Sequence, residues 1–164
     1  MQSFLLKKKD KETFLDTIKS LKYSTWENYR ASINRFGQFC KEQYSGRNIE
    51  DVVFELKSIP EESRDEAYFD VLQDFVNWLS DKKLSGSTIN MYYQVITYFF
   101  SFNGIRIHPI DLQRHIRRPK QVKEKPHPLS RAEILDLFEH TPDHRKMLYL
   151  VLIGSGMRIQ ECVA

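Results

Sequence analysis

Apolar residues recur every three or four positions through most of the chain, and the strict alternation that marks strands is rare. The first periodic stretch covers residues 10–21, with Phe14, Leu15, Ile18 and Leu21 on one face. Ser24, with Glu27 three residues on, reads as the N-cap of a second helix over 25–42. Its inward face carries Trp26, Tyr29, Ile33, Phe36 and Phe39 or Cys40, and its outer side Arg30, Asn34, Arg35, Gln38 and Lys41. Residues 46–63, with Pro60, read as a polar connection holding one turn of helix around Val52, Val53, Phe54 and Leu56. A third helix is predicted over 66–82, with Phe69, Leu72, Phe75, Val76 and Leu79 inward. Leu84-Ser85-Gly86-Ser87 breaks it, and a fourth follows over 88–102, carrying Ile89, Tyr92, Tyr93, Ile96, Phe99 and Phe100. Asn103-Gly104 is a helix stop. Four main amphipathic helices with short connections make an all-α bundle. Aromatic residues at helical spacing pack against one another, so these faces read as core rather than as a base-stacking platform.

The pattern changes at Ile105. Pro109, Pro119, Pro126 and Pro128 interrupt residues 105–128, leaving room for a short helix over 111–116 and an extended linker after Pro119. A domain boundary is expected here. A new unit opens at Leu129, where Ser130 and Glu133 form a capping box and Leu129 and Ile134 a hydrophobic staple. That helix runs to about His140. Thr141-Pro142 reads as a cap followed by proline at the first helical position of the next helix, which carries Met147, Leu148, Leu150, Val151 and Leu152. Gly154-Ser155-Gly156 stops it, and residues 157–161 open another helix. So short a terminal helix cannot bury its face, and the expectation is a fragment of a longer protein or a natural truncation.

Charge adds a location to this scheme. The net charge of +3 is modest, but Arg114, Arg117, Arg118, Lys120, Lys123 and Lys125 crowd the stretch from Gln113 to Lys125, opposed there only by Glu124. Lys7, Lys8, Lys9 and Lys11 make a second set. Clustered positive charge attracts polyanions, although a solvated segment has the same composition. Two distant cysteines, Cys40 and Cys162, make no disulfide framework, and the five histidines lack metal-ligand spacing. Neither a metal nor another cofactor is expected. No apolar run approaches bilayer length, and the short apolar start before Lys7 has its charges on the wrong side for a signal peptide. The expected setting is the cytoplasm.

The sharpest local pattern is Ser155-Gly156-Met157-Arg158-Ile159-Gln160-Glu161. A glycine turn delivers an arginine to the start of a helix, and the guanidinium is a planar, permanently charged fork suited to phosphate oxygens. Glu161, three residues on, is placed to hold that side chain; a surface Arg–Glu pair of little energetic consequence reads the same way. With its context, the stretch resembles the tyrosine recombinase (lambda-integrase-like, phage integrase or Xer-type) family, which commonly reads Thr-Gly-Leu-Arg-Ile-Ser-Glu after an apolar helix. Pro128-Leu129-Ser130-Arg131-Ala132-Glu133 is similar to the start of that family's catalytic domain. Ser24-Thr25-Trp26-Glu27-Asn28-Tyr29 with Phe36 resembles a helix of its core-binding domain, with the threonine displaced, and residues 85–100, with Thr88-Ile89-Asn90, resemble the fourth helix.

The resemblance implies a four- to five-helix SAM-like core-binding bundle over 1–108, a basic linker over 109–128, and the first helices of a truncated catalytic domain over 129–164. It implies site-specific recombination in which a tyrosine hydroxyl attacks a DNA phosphate through a 3′-phosphotyrosyl intermediate, without metal or ATP. Arg158 matches the catalytic arginine and Glu161 the acid that supports it. Gln160 replaces the usual small residue, and the family's lysine hairpin, His-x-x-Arg box and nucleophilic tyrosine have no counterpart here, so this chain alone is expected not to cleave DNA. The implied partners are double-stranded DNA and, in the full-length family, other copies in a tetrameric synapse, with no membrane and no small-molecule substrate; the implied setting is nucleoid-associated, prokaryotic or viral. Candidate DNA contacts are the linker cations Arg114, Arg117, Arg118, Lys120, Lys123 and Lys125, with Arg30, Asn34, Arg35 and Lys41 on the second helix and Ser87, Asn90, Gln94 and Thr97 on the fourth. Two other readings stand beside this one: a non-catalytic DNA-binding regulator with the same bundle, and a helical protein-interaction module whose basic linker is incidental.

Overall fold

The computed structural model describes residues 9–120 and 127–162. The described residues are all-helical, with no strand. In order, the helices are α1 (Lys11–Ile18), α2 (Tyr23–Gln43), α3 (Ile49–Ser58), α4 (Glu61–Asp81), α5 (Gly86–Phe102), α6 (Pro109–His115), α7 (Arg131–Glu139), α8 (Asp143–Ser155) and α9 (Ile159–Cys162). The chain divides into two compact units, residues 1–122 and 123–164.

In the first unit α2 packs against α1, α3, α4 and α5, and α5 packs against α1, α2 and α4. The apolar stripes of these helices meet in an aromatic core. Phe14, Phe36, Phe39, Tyr68, Phe75, Phe99 and Phe100 are fully buried. The Phe36 ring lies edge-on to Phe75 at 5.0 Å and to Phe100 at 5.7 Å, and Phe14 meets Phe99 edge-on at 5.2 Å. Edge-to-face contacts set the quadrupoles of the rings favourably, about 0.5–1.5 kcal/mol per pair beyond the area buried. The segment after α5 joins this core, with Ile105, Leu112 and Ile116 buried.

Several helix boundaries differ from those expected. The second helix starts at Tyr23, and Ser24 lies in its first turn without capping it. The Lys22 carbonyl accepts the first amides, from Thr25 and Trp26, while Glu27 turns to Arg30 at 3.1 Å instead of closing a capping box. Leu21, expected on the inner face of the first helix, is half exposed. The supposed connection over 46–63 contains all ten residues of α3, which bury Ile49, Val52, Val53 and Leu56. Asn48 accepts from the Asp51 amide at 2.9 Å and Asp51 accepts from the Asn48 amide at 3.0 Å, so a reciprocal box opens this helix. α4 then starts directly after Pro60, five residues before the expected position. α5 starts at Gly86, capped by Ser85.

In the second unit, Ser130 and Glu133 form the capping box expected of them. Thr141 does not cap α8. It is buried, and its hydroxyl donates to the Leu137 carbonyl at 2.5 Å, closing α7, while Pro142 stands at the cap position. The Phe138 and Tyr149 rings meet edge-on at 6.5 Å. α8 ends at Gly156, whose φ of 66° is the left-handed conformation that glycine adopts at least steric cost. None of the residues of α7, α8 or α9 is buried.

Candidate nucleic-acid interface

After α6 the backbone turns extended at Ile116 and runs across the faces of α4 and α5 as a strap over 116–120. Buried Leu112 and Ile116 anchor its upstream end. The Gln73 side chain of α4 accepts from the Arg117 amide at 2.8 Å and donates to the Arg117 carbonyl at 3.2 Å. Both polar groups of that residue's backbone are thereby paired, as they would be beside a neighbouring strand. The Arg118 guanidinium donates to the Asn90 Oδ1 at 2.9 Å and lies 4.8 Å from the centre of the Tyr93 ring. Burial raises the Tyr93 phenol above its ordinary range, against a hydrogen bond with Thr97 and the Arg118 charge. The backbone of Pro119 and Lys120 passes over Gly86, where a Cβ would sit only 2.7 Å from the Lys120 carbonyl oxygen.

These contacts divide the candidate cations of the strap. The Arg118 guanidinium is engaged with the bundle. Arg117 and Lys120 are exposed and, among the described residues, neither has a carboxylate partner. Arg114 is exposed, with Asp111 at 4.0 Å. Lys123 and Lys125, with Lys7 and Lys8, lie outside the described residues.

The other candidates are spread over the first unit. On α2, Asn34 and Lys41 line a groove with Lys11, Gln38, Asn48 and Glu50. Arg30 is held by Glu27 and lies 5.0 Å from the centre of the Trp26 ring. Arg35 points elsewhere. It donates to Gln38 and lies beside Trp78, whose indole N–H donates to Glu42 at 2.9 Å. On α5, Ser87 and Gln94 are exposed, while the Thr97 hydroxyl donates to the Tyr93 carbonyl. Asn90, expected to face a groove, is instead 9% exposed and spends both ends of its amide inside the unit, on Gly86 and Arg118. Among the described residues no hydrogen bond or ion pair joins Arg30, Asn34 or Lys41 to the strap.

Arg158 is exposed at the start of α9. Glu161 does not grip its guanidinium, as the spacing suggested. The carboxylate accepts from the Arg158 backbone N–H at 2.9 Å, fixing the turn and leaving the side chain to solvent. The Ser155 hydroxyl, itself bonded to the Val151 carbonyl, accepts from the Met157 amide at 3.2 Å.

Gln73, Gly86 and Tyr93 were not among the candidates. Gln73 and Arg117 lie 44 positions apart, and nothing in local periodicity pairs them. The Leu84-Ser85-Gly86-Ser87 break was visible, but it read as a helix stop and not as a seat for a second backbone.

Among the described residues no helix is long and apolar enough to cross a membrane. No curated protein and no solved structure matches the chain. Residues 8–103, more than half of the sequence, match the model of the family described as phage integrase, N-terminal SAM-like domain. An aromatic helical bundle over that same stretch agrees with this match, and the chain belongs to the phage integrase N-terminal SAM-like domain family.

Proposed function

We propose that this chain is the DNA-binding portion of a site-specific tyrosine recombinase. The observation that carries the reading is the basic strap: a segment rich in arginine and lysine, held along a bundle of the integrase family, with Arg117 and Lys120 exposed and, among the described residues, without a carboxylate partner. Cations fixed in this way meet phosphates without first giving up much conformational freedom. Arg114, Lys123 and Lys125 extend the set, and the groove of Asn34 and Lys41 is a second patch within the same unit.

Residues 129–164 are assigned to the start of a catalytic domain. Arg158 supplies the charge that neutralises the scissile phosphate, and Glu161 acts by shaping the turn that presents it. In a polypeptide that also carries the nucleophilic tyrosine, Arg158→Ala is expected to abolish strand cleavage while duplex binding largely survives. Equal loss of both contradicts the role.

The test of DNA binding is a gel-shift titration of this chain on a short duplex across a range of salt. Phosphate contacts make the logarithm of affinity fall linearly with the logarithm of salt concentration, with a slope of about 0.9 per phosphate neutralised. A chain that shows no shift at low salt is a protein-interaction module instead.

A further inference from the structure

We infer that Gln73, Gly86, Asn90 and Tyr93 form a seat that positions the strap for DNA, and that Arg118 is the clasp of that seat rather than a phosphate contact. The inference rests on the DNA-binding reading above and deepens it.

Four contacts between residues 117 and 120 and the bundle carry it. The Gln73 amide pairs both backbone groups of Arg117. The Arg118 guanidinium is bonded to Asn90 and faces the Tyr93 ring. Asn90 is held in turn by the Gly86 carbonyl, to which its amide donates at 2.8 Å. Gly86 itself has no Cβ, and that absence lets the Lys120 backbone lie against α5. A surface tail has no need of a buried asparagine or of a glycine shaped to its carbonyl. The seat fixes the backbone at Arg117 and Lys120, cations without a carboxylate partner among the described residues, so their spacing is set before DNA arrives. Ordering a residue costs about 1–2 kcal/mol, and a strap that is already ordered avoids that loss on binding.

The decisive variant is Gly86→Ala. It stands at the first position of α5, where alanine suits a helix, so the bundle has no reason to unfold. The added methyl meets the Lys120 carbonyl and lifts the strap. In the full chain, circular dichroism and the melting temperature should stay at the parental values, while amide exchange at Arg117 accelerates. On a short mixed-sequence duplex, affinity should fall about tenfold, the equivalent of re-ordering one residue, with the salt slope unchanged because no cation is lost. Arg118→Met should give the same loss at the same slope, because the charge it removes is held by Asn90 and Tyr93 and neutralises no phosphate. Lys120→Ala and Arg117→Ala should differ in kind, each lowering the salt slope by about 0.9. Should Gly86→Ala fail to fold, Gln73→Met removes the Arg117 bonds without adding bulk beneath the strap, and the same affinity loss at constant slope is expected. Parental affinity in a variant whose Arg117 amide exchanges freely overturns the seat, while the lowered slope of Lys120→Ala would keep the DNA-binding reading intact. Absence of duplex binding by the parental chain at low salt overturns both.

Discussion

Single side chains in this bundle are tuned by what lies beside them. Glu42 sits at the edge of the core, where it accepts from the Trp78 indole at 2.9 Å, from Gln38 at 2.9 Å and from Lys82 at 3.4 Å. Chiefly the indole, then Gln38 and the Lys82 charge, hold its carboxyl below the usual range. A carboxyl whose folded value is depressed adds stability that is present above its unfolded value and lost as pH falls through the folded one. Glu42→Gln keeps an acceptor for the indole but removes the titration. Its urea midpoint should therefore drop less than the parental one between neutral and acid pH, and parallel acid dependence of the two proteins would refute the coupling. Cys40 lies at the opposite extreme. It is fully buried, and desolvation pushes its thiol up to about 12. A thiolate is the reactive form, so Cys40 should resist alkylation in the folded chain at mildly alkaline pH and react once urea is added. Mass spectrometry of the labelled peptides distinguishes it from Cys162, and rapid native labelling of Cys40 would mean that the core opens easily.

Helices form where caps and apolar spacing agree, and α3 shows how that agreement can be hidden. Its buried residues Ile49, Val52, Val53 and Leu56 follow helical spacing, but they stand among Glu50, Asp51, Glu55 and Lys57, and the Asn48–Asp51 box uses a residue pair less familiar than Ser with Glu. The cap should carry real weight. Asn48→Ala leaves the Asp51 amide unpaired and is expected to destabilise the first unit by about 1 kcal/mol in urea unfolding; a change near zero would mean that packing alone holds α3. Phe36→Ala, at the centre of the ring cluster, is expected to cost about 3–5 kcal/mol, whereas Phe54, 73% exposed on α3, should tolerate alanine almost without effect. The same contrast explains what was legible in the sequence. The inner faces of α2, α4 and α5 follow directly from the spacing of Ile33, Phe36, Phe75, Ile96 and Phe99, because the hydrophobic period is a local property. The seat of the strap was not legible, because it joins Gln73 to Arg117 and Gly86 to Lys120 across long stretches of chain, and Asn90 looked polar and therefore outward. Helix starts misled for a related reason: Ser24 and Thr141 are good caps by type, but the Lys22 carbonyl accepts the first amides of α2, and the Thr141 hydroxyl turns back to the Leu137 carbonyl.

Across the molecule, the two units differ in what holds them. Every residue of the buried hydrophobic cluster lies between Phe14 and Ile116, in the first unit. In the second, Leu135, Met147, Leu150, Ile153 and Ile159 are more than half exposed, and no residue of α7, α8 or α9 is buried. Burial of apolar area is the main favourable term in folding, at about 25 cal/mol per Å². Local opening should therefore need far less free energy in residues 127–162 than in the bundle. Hydrogen exchange followed by mass spectrometry offers the direct measurement. Amides of α2, α4 and α5 should exchange slowly, as a cooperative group, while those of α7, α8 and α9 exchange many times faster. The amide of Arg117, paired with Gln73, should follow the bundle even though it lies outside any helix. Uniform slow exchange across both units would show that the second has a core of its own, and fast exchange at Arg117 would detach the strap from the unit on which its cations depend.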